Sequence, residues 1–315
     1  MEVPVCSVVI PAHNCLQYLP TALSSAAAQR GVEFEVIVVD DGSTDGTDAW
    51  LEERCRQWPA LRAIETGGIG PGKARNAGIE AARAPLIAFL DADDWWWPDK
   101  LAAQVTYHAA HPETAFSFTD YLHVSADGES RGSCFEYWKP RLARRPVSGY
   151  FRLNDALSII LATNLVGTTT VLASKAALER AGGFELLPSA EDWALWLRLA
   201  SDAPVACTRA ITASYLMRSS SLTANREARI AAMAEIIAPY EKSTSPGVRQ
   251  AAAKARARID VARAELARLS GRHSSAAIYH SRAFLALPSA RLGKETTASI
   301  LNAALHFVSG YGASK

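Results

Sequence analysis

Hydrophobic and polar positions switch between two periods from the start of the chain. Val5–Pro11 is a short apolar run closed by proline, the pattern of a buried strand. Tyr18–Gln29 is alanine-rich with helical spacing. Phe34–Asp40 (FEVIVVD) is β-branched and apolar, which predicts a central parallel strand covered on both faces. Asp45 or Thr47 is placed to cap a helix ending near Gln57. Leu61–Glu65 predicts a weaker strand, and a glycine loop, Gly67–Gly72, leads into a helix from Lys73 to near Arg83. Pro85–Leu90 is a further buried strand that runs directly into Asp91-Ala92-Asp93-Asp94. This succession predicts an α/β fold with a doubly wound, mostly parallel sheet.

Beyond the acidic run the pattern loosens. A helix is predicted over Pro98–His111 and a strand near Phe116–His123. Ala126–Arg152, polar with Gly, Pro and Arg, predicts an irregular excursion. Thr168–Ala173 predicts a strand, Ser174–Ala181 a short helix and Gly182-Gly183 a turn. Ala190–Ala200 predicts a helix that packs through Trp193, Trp196, Leu197 and Leu199, and Ile211–Arg218 a late strand. From Leu222 strand signals vanish, Ala and Arg dominate, and three or four helices follow, punctuated by Pro246 and Pro288. The predicted organisation is an α/β domain over 1–221 and a helical region over 222–315.

Carboxylates at strand ends carry the first chemical signal, because ligands of open α/β sheets bind beyond the carboxyl ends of the strands. Asp91-x-Asp93 ends one apolar strand and Asp40-Asp41 ends another. Hard divalent ions take oxygen ligands, and Mg²⁺ often uses only one or two carboxylates, drawing the rest from phosphates and water. The pair therefore suits Mg²⁺ or Mn²⁺ bound with a nucleotide diphosphate; a solvated loop before Pro98 is the plainer reading of that segment alone. Glu191-Asp192 begins a helix, where acids are ordinary; as a catalytic pair, one could take a proton from a hydroxyl.

Composition narrows the classes. Across 315 residues, 49% hydrophobic and 21% charged content exclude a disordered chain and an integral membrane bundle. Lys+Arg 33 against Asp+Glu 32 argues against a nucleic-acid binder. Five scattered cysteines without a CxxC indicate free thiols in a reducing cytoplasm. Met-Glu-Val-Pro-Val has no leader pattern, and the weakly polar stretch Leu157–Ala173 is too interrupted to span a bilayer. Gly67-x-x-x-x-Gly72-Lys73 imitates a phosphate loop, but Ala74 stands where a hydroxyl is needed. Asp41-x-Ser43-x-Asp45-Gly46 imitates a calcium loop without the helix before it. No GxGxxG follows the first strand, so a dehydrogenase is not indicated.

Six segments taken together resemble the inverting glycosyltransferases of family 2. They are SVVIPAHN (Ser7–Asn14), EVIVVDDGSTDGT (Glu35–Thr47), GKARNAGI (Gly72–Ile79), FLDADDWWWPDKL (Phe89–Leu101), GGFE (Gly182–Glu185) and AEDWALWLRL (Ala190–Leu199). The resemblance runs from Cys6 to Leu222. It implies the GT-A nucleotide-diphospho-sugar transferase fold, a mixed, mostly parallel doubly wound sheet, here with a C-terminal α-helical appendage.

It also implies roles. Pro11, Ala12, His13 and Asn14 would contact the base and ribose of a nucleotide-sugar donor; most relatives carry Tyr where this chain has His13. Asp41 would meet the uracil of a UDP-sugar, Lys73 and Arg75 would help hold the donor, and Asp91 with Ala92 would face its ribose or sugar. Asp93 would coordinate Mn²⁺ or Mg²⁺ on the diphosphate, Asp192 would be the general base, and Glu191 would assist beside it. Many relatives have a metal- or diphosphate-binding His after the late strand; Arg218 stands there, and it is expected to contact the diphosphate as a flap around Ser219–Leu222 closes. Trp193 is a candidate platform for the acceptor sugar, and at least one of Trp95-Trp96-Trp97 is expected in the core.

The implied reaction moves a sugar from a nucleotide donor to a glycan or lipid-linked hydroxyl, in polysaccharide or glycolipid assembly. A nucleotide-sugar-binding subunit without transfer activity is the alternative. The basic C-terminal helices are read as a solvated face, or as a peripheral contact with the inner surface of a cell membrane.

Overall fold

The structure is a computed structural model that describes residues 4–140, 142, 147–218 and 226–312. The first half alternates as the periods require: β1 (Cys6–Ala12), α1 (Leu19–Ala27), β2 (Phe34–Asp40), α2 (Thr47–Gln57), β3 (Leu61–Glu65), α3 (Pro71–Ala81) and β4 (Leu86–Phe89). Then come β5 (Trp95–Trp96), α4 (Lys100–Ala110), β6 (Phe116–Ser125), β7 (Ser130–Ser133), α5 (Cys134–Trp138), β8 (Phe151–Arg152) and α6 (Ala156–Thr163). A 3-10 turn, Thr168–Thr170, precedes β9 (Leu172–Ser174), α7 (Lys175–Arg180), α8 (Glu191–Asp202) and β10 (Val205–Met217). The chain continues as α9 (Arg226–Glu241), α10 (Pro246–Leu269), α11 (His273–Ala286) and α12 (Ala290–Gly312).

One mixed sheet runs in the order β3-β2-β1-β4-β9-β6-β10-β5, with β7 on β6 and β8 on β10. β3, β2, β1 and β4 are mutually parallel, and β9 inserts antiparallel between β4 and β6. The central strands β1 and β2 are buried on both faces: Val8, Val9, Ile10 and Val36 through Val39 are all fully enclosed. α3 lies close on it, because a Cβ on Gly78 would stand 2.4 Å from Val9 Cγ1. α8 packs on the same sheet through Trp196, whose ring meets Phe89, Phe116 and Phe184 at 5.3–5.9 Å.

Four sequence expectations are corrected. Ala126–Arg152 holds β7, α5 and β8; α5 is fixed by a capping box in which Ser133 and Glu136 exchange bonds. Thr168–Thr170 is a 3-10 turn, with the strand starting at Leu172. β10 begins at Val205, ahead of the expected start. The cap of α2 is Gly46 in a left-handed conformation, with Asp45 accepting the Thr47 N–H beside it.

The chain forms two compact units. The first holds the sheet and consists of 1–160, 164–187 and 191–221; the second consists of 161–163, 188–190 and 222–315. In the second, α10 presents buried Ala251, Ala252, Ala255 and Ile259 to its neighbours, and buried Asp260 meets Arg282 of α11 at 3.3 Å. Among the described residues no helix is long and apolar enough to cross a membrane.

Candidate active site

The carboxyl ends of β1, β2 and β4 carry the donor-side residues into one region. Pro11 and Ala12 end β1, and Ala12 accepts the Asp41 N–H at 2.7 Å. His13 Nδ1 donates to the Asp41 carbonyl at 2.8 Å, and Asn14 Nδ2 lies 3.1 Å from His13 Nε2. Asn14 Oδ1 accepts the Thr44 N–H at 2.8 Å, which orients its amide to donate toward that ring. The imidazole is thus fixed as the Nδ1-protonated tautomer while remaining exposed.

Asp41 is 5% exposed and is wrapped by the glycine loop. Its Oδ1 accepts the Thr66 hydroxyl at 2.6 Å and the Ile69 N–H at 2.7 Å; Oδ2 accepts the Gly70 N–H at 2.7 Å. Burial would raise its carboxyl, but these bonds to the ionised form outweigh it and hold the group below the usual carboxylate range. The loop that imitates a phosphate binder is thereby occupied in binding Asp41.

Arg75 is the hub of the acidic cluster. It is 7% exposed, with one terminal nitrogen 2.7 Å from Asp91 and the other 3.0 Å from Glu191. Burial opposes its charge, yet Asp91 and Glu191 overcome that and push it above the ordinary arginine range. One buried cation so joins the end of β4 to the start of α8. Lys73, two residues earlier on α3, is exposed and makes no such bond. Residues two apart on a helix do not share a face, so the structure separates a pair expected to act together.

Asp93 is 16% exposed in its side chain and pairs with Arg218 at 2.5 Å. Arg218 also lies 4.9 Å over the Tyr18 ring. Burial, then the neighbouring charge of Asp91, raises the Asp93 carboxyl despite Arg218. Ala92 is buried between the two acids. Asp94 is 1% exposed, accepts the Leu216 N–H at 3.0 Å, and is pushed far above the carboxylate range by burial and by Asp93 and Asp91. The flap expected around Ser219–Leu222 lies outside the described residues.

Asp192 opens α8 beside Glu191, where a helix N-terminus favours negative charge. Its Oδ2 accepts the Thr168 hydroxyl at 2.8 Å, and its Oδ1 the Trp193 N–H at 2.7 Å. Glu191 is raised by burial and by Asp192, against the pull of Arg75. Thr168 is a site residue that the sequence reading missed; its threonine run reads as strand, and nothing local marks a turn.

Trp193 corrects the expected acceptor platform. It is fully buried, and its indole N–H donates to the Ile160 carbonyl at 3.1 Å, so neither face is open to a sugar. Trp96 of the triplet is buried as expected, and Trp97 is 40% exposed.

Among the described residues no group of three or more His, Cys, Asp or Glu is arranged to hold a metal by itself. Asp93 offers one partly open carboxylate in a locally negative setting. That donor set fits a hard divalent ion that takes its remaining oxygens from phosphate and water.

Residues 7–163 match the glycosyl transferase family 2 model. The succinoglycan biosynthesis protein ExoO of Rhizobium meliloti is 38% identical over 154 residues, 49% of this chain and 43% of that protein. An uncharacterized glycosyltransferase of Rickettsia felis is 30% identical over 195 residues, 62% of this chain but only 30% of its own length. In fold, the chain is similar to S. aureus TarS 1–349 in complex with UDP-GlcNAc, at TM-score 0.63 and 21% identity, covering 90% of this chain and 81% of that one. It is also similar to the mannosyltransferase PcManGT of Pyrobaculum calidifontis in complex with GDP-Man and Mn²⁺, at TM-score 0.59 and 20% identity, covering 96% and 87%.

Proposed function

Because the chain belongs to glycosyl transferase family 2, we propose that its first unit is an inverting, metal-assisted transferase that moves a sugar from a UDP-sugar to a glycan or lipid-linked hydroxyl. The observation that carries this reading is Arg75, which gathers Asp91 and Glu191 with Asp192 alongside, next to the Asp93–Arg218 pair. In this reading the acids that serve the donor, Asp91 and Asp93, and those that serve the acceptor, Glu191 and Asp192, share one cluster.

Pro11, Ala12, His13, Asn14 and Asp41 take the nucleoside end. The His13 ring, locked between Asp41 and Asn14, offers an oriented face to a base. Asp41 keeps lone pairs beyond its three internal bonds, enough to accept one further donor from the base. Lys73 lies exposed on α3 and can approach phosphate as a point charge.

Asp93 would hold the Mn²⁺ or Mg²⁺, together with the donor's phosphates. When bound, that ion supplies Lewis-acid stabilisation of charge on the departing diphosphate. Arg218 would exchange its Asp93 partner for the donor's phosphate oxygens, which a guanidinium can grip bidentately. At the other end Asp192 accepts the proton of the acceptor hydroxyl as it attacks the anomeric carbon from the face opposite the diphosphate. A single displacement of this kind inverts configuration.

ExoO's role in succinoglycan biosynthesis, the UDP-GlcNAc in TarS and the Mn²⁺ in PcManGT support polysaccharide assembly, a uridine donor and a divalent ion. Exposed Ile278, Leu285, Leu301 and Leu305 on α11 and α12 support a peripheral membrane contact by the helical region. The test is thermal stabilisation by a panel of UDP-, GDP- and dTDP-sugars with Mn²⁺. A UDP-sugar that binds raises the melting temperature by mass action, and no stabilisation by any member of the panel would remove the reading.

A further inference from the structure

Behind Asp192 lies a turn that is held more tightly than its length requires. Thr168, Thr169 and Thr170 are 5%, 1% and 0% exposed. The Trp96 indole N–H donates to the Thr169 carbonyl at 2.7 Å, and Gln104 Nε2 donates to the Thr170 carbonyl at 3.1 Å. The Thr170 hydroxyl closes back on the Gly167 carbonyl at 2.7 Å. Gly167 rests on the Tyr121 ring, where a Cβ would stand 2.7 Å from Cε1. Lys100 lies 4.3 Å over the Trp96 ring and donates to Gln104 Oε1 at 2.7 Å, which turns the Gln104 amide nitrogen toward the turn.

We propose that this turn is built to aim the general base, and that the Thr168 hydroxyl is its positioning group. The inference rests on the reading of Asp192 as that base. A carboxylate accepts but does not donate, so the hydroxyl must donate the hydrogen bond to Asp192 Oδ2. Oδ1 is pinned by the Trp193 N–H at the start of α8. With one internal donor on each oxygen the carboxylate cannot spin, and the lone pair that remains on each oxygen holds a fixed direction in which to accept an incoming hydroxyl. This also gives the tryptophan triplet a purpose: the middle indole clamps the turn from the core side. A base held in near-attack geometry gains rate without gaining donor affinity, and misplacement by about 1 Å can cost on the order of a hundredfold.

The experiment compares Thr168→Val, Thr168→Ser, Trp96→Phe and Asp192→Asn in the full chain. It reads UDP release from the stabilising UDP-sugar, the affinity for UDP by calorimetry, and the melting temperature. Thr168→Val keeps the shape and loses the donor: kcat is expected to fall about tenfold or more with UDP affinity unchanged. Thr168→Ser keeps the donor and should recover most of kcat. Trp96→Phe, which removes the N–H on Thr169 and keeps an aromatic ring, should lower kcat in the same sense. Wild-type kcat in both Thr168→Val and Trp96→Phe, with Asp192→Asn inactive, overturns the positioning role and leaves the base assignment standing. Equal losses in the Val and Ser variants also overturn it, because packing rather than the hydroxyl would then be responsible. Wild-type turnover in Asp192→Asn overturns the base assignment itself, and this inference with it.

Discussion

Replacing Lys100 by Met should stabilise the first unit at neutral pH, and the gain should vanish as the pH rises. Lys100 is 1% exposed, and among the described residues its ammonium has no carboxylate partner. Burial lowers its pKa from 10.5 to about 7, with a smaller opposing pull assigned to the Cys6 thiol. That thiol is itself raised by burial to about 12 and stays neutral.

In the unfolded chain the amine binds its proton up to about pH 10.4. Between pH 7 and that point the unfolded state holds more protons, so stability rises with pH across the window and is flat below it. The difference in pKa corresponds to roughly 4 kcal/mol of penalty at pH 7, falling to about 1 kcal/mol at pH 10. Met removes the penalty but leaves Gln104 Oε1 without its donor, at about 1–3 kcal/mol. The variant should therefore be more stable by about 2 kcal/mol at pH 7 and no more stable, or less so, at pH 10. Denaturant titrations at pH 7, 8, 9 and 10, followed by tryptophan fluorescence, read this directly; all eight tryptophans precede residue 222 and report on the first unit. A difference between Met and Lys proteins that stays constant over this range would refute the reasoning.

Arg218→Gln should weaken UDP binding in Mn²⁺ by about tenfold, the loss expected when a charge-assisted contact to phosphate is removed; unchanged affinity and turnover would show that the guanidinium serves only as the partner of Asp93. Gly78→Ala should lower stability by about 1–3 kcal/mol, because the new methyl meets Val9 Cγ1 at 2.4 Å and Val39 Cγ2 at 3.2 Å in a closed core. A wild-type denaturation midpoint for that variant would mean that α3 can lift from the sheet.

The parallel half of the fold was legible because its central strands are apolar on both faces and its helices alternate with the strands. FEVIVVD could hardly be anything but a covered strand, and its aspartates had to emerge at the carboxyl end. The later half was less legible because its elements are short and held from afar. β8 has two residues and exists by pairing with β10, and the Thr168 turn is set by Trp96 and Gln104, far away in sequence. Thr has strand propensity, so the run Thr168–Thr170 misled where tertiary bonds decided. The partners of Asp41 also lie 25 or more residues along, in a loop whose glycines suggested phosphate. Trp193 could have been placed from the sequence alone. It shares the helical spacing of Trp196 and Leu197, which marks a buried face.

The central claim is a division of labour between two aspartates: Asp93 for the diphosphate and its ion, Asp192 for the acceptor proton. Calorimetric titration of UDP with Mn²⁺ into the wild-type, Asp93→Ala and Asp192→Ala proteins, with turnover measured beside it, tests this most directly. The account predicts that Asp192→Ala binds UDP as the wild type does and does not turn over, while Asp93→Ala loses affinity as well. UDP affinity lost in Asp192→Ala and kept in Asp93→Ala would contradict it.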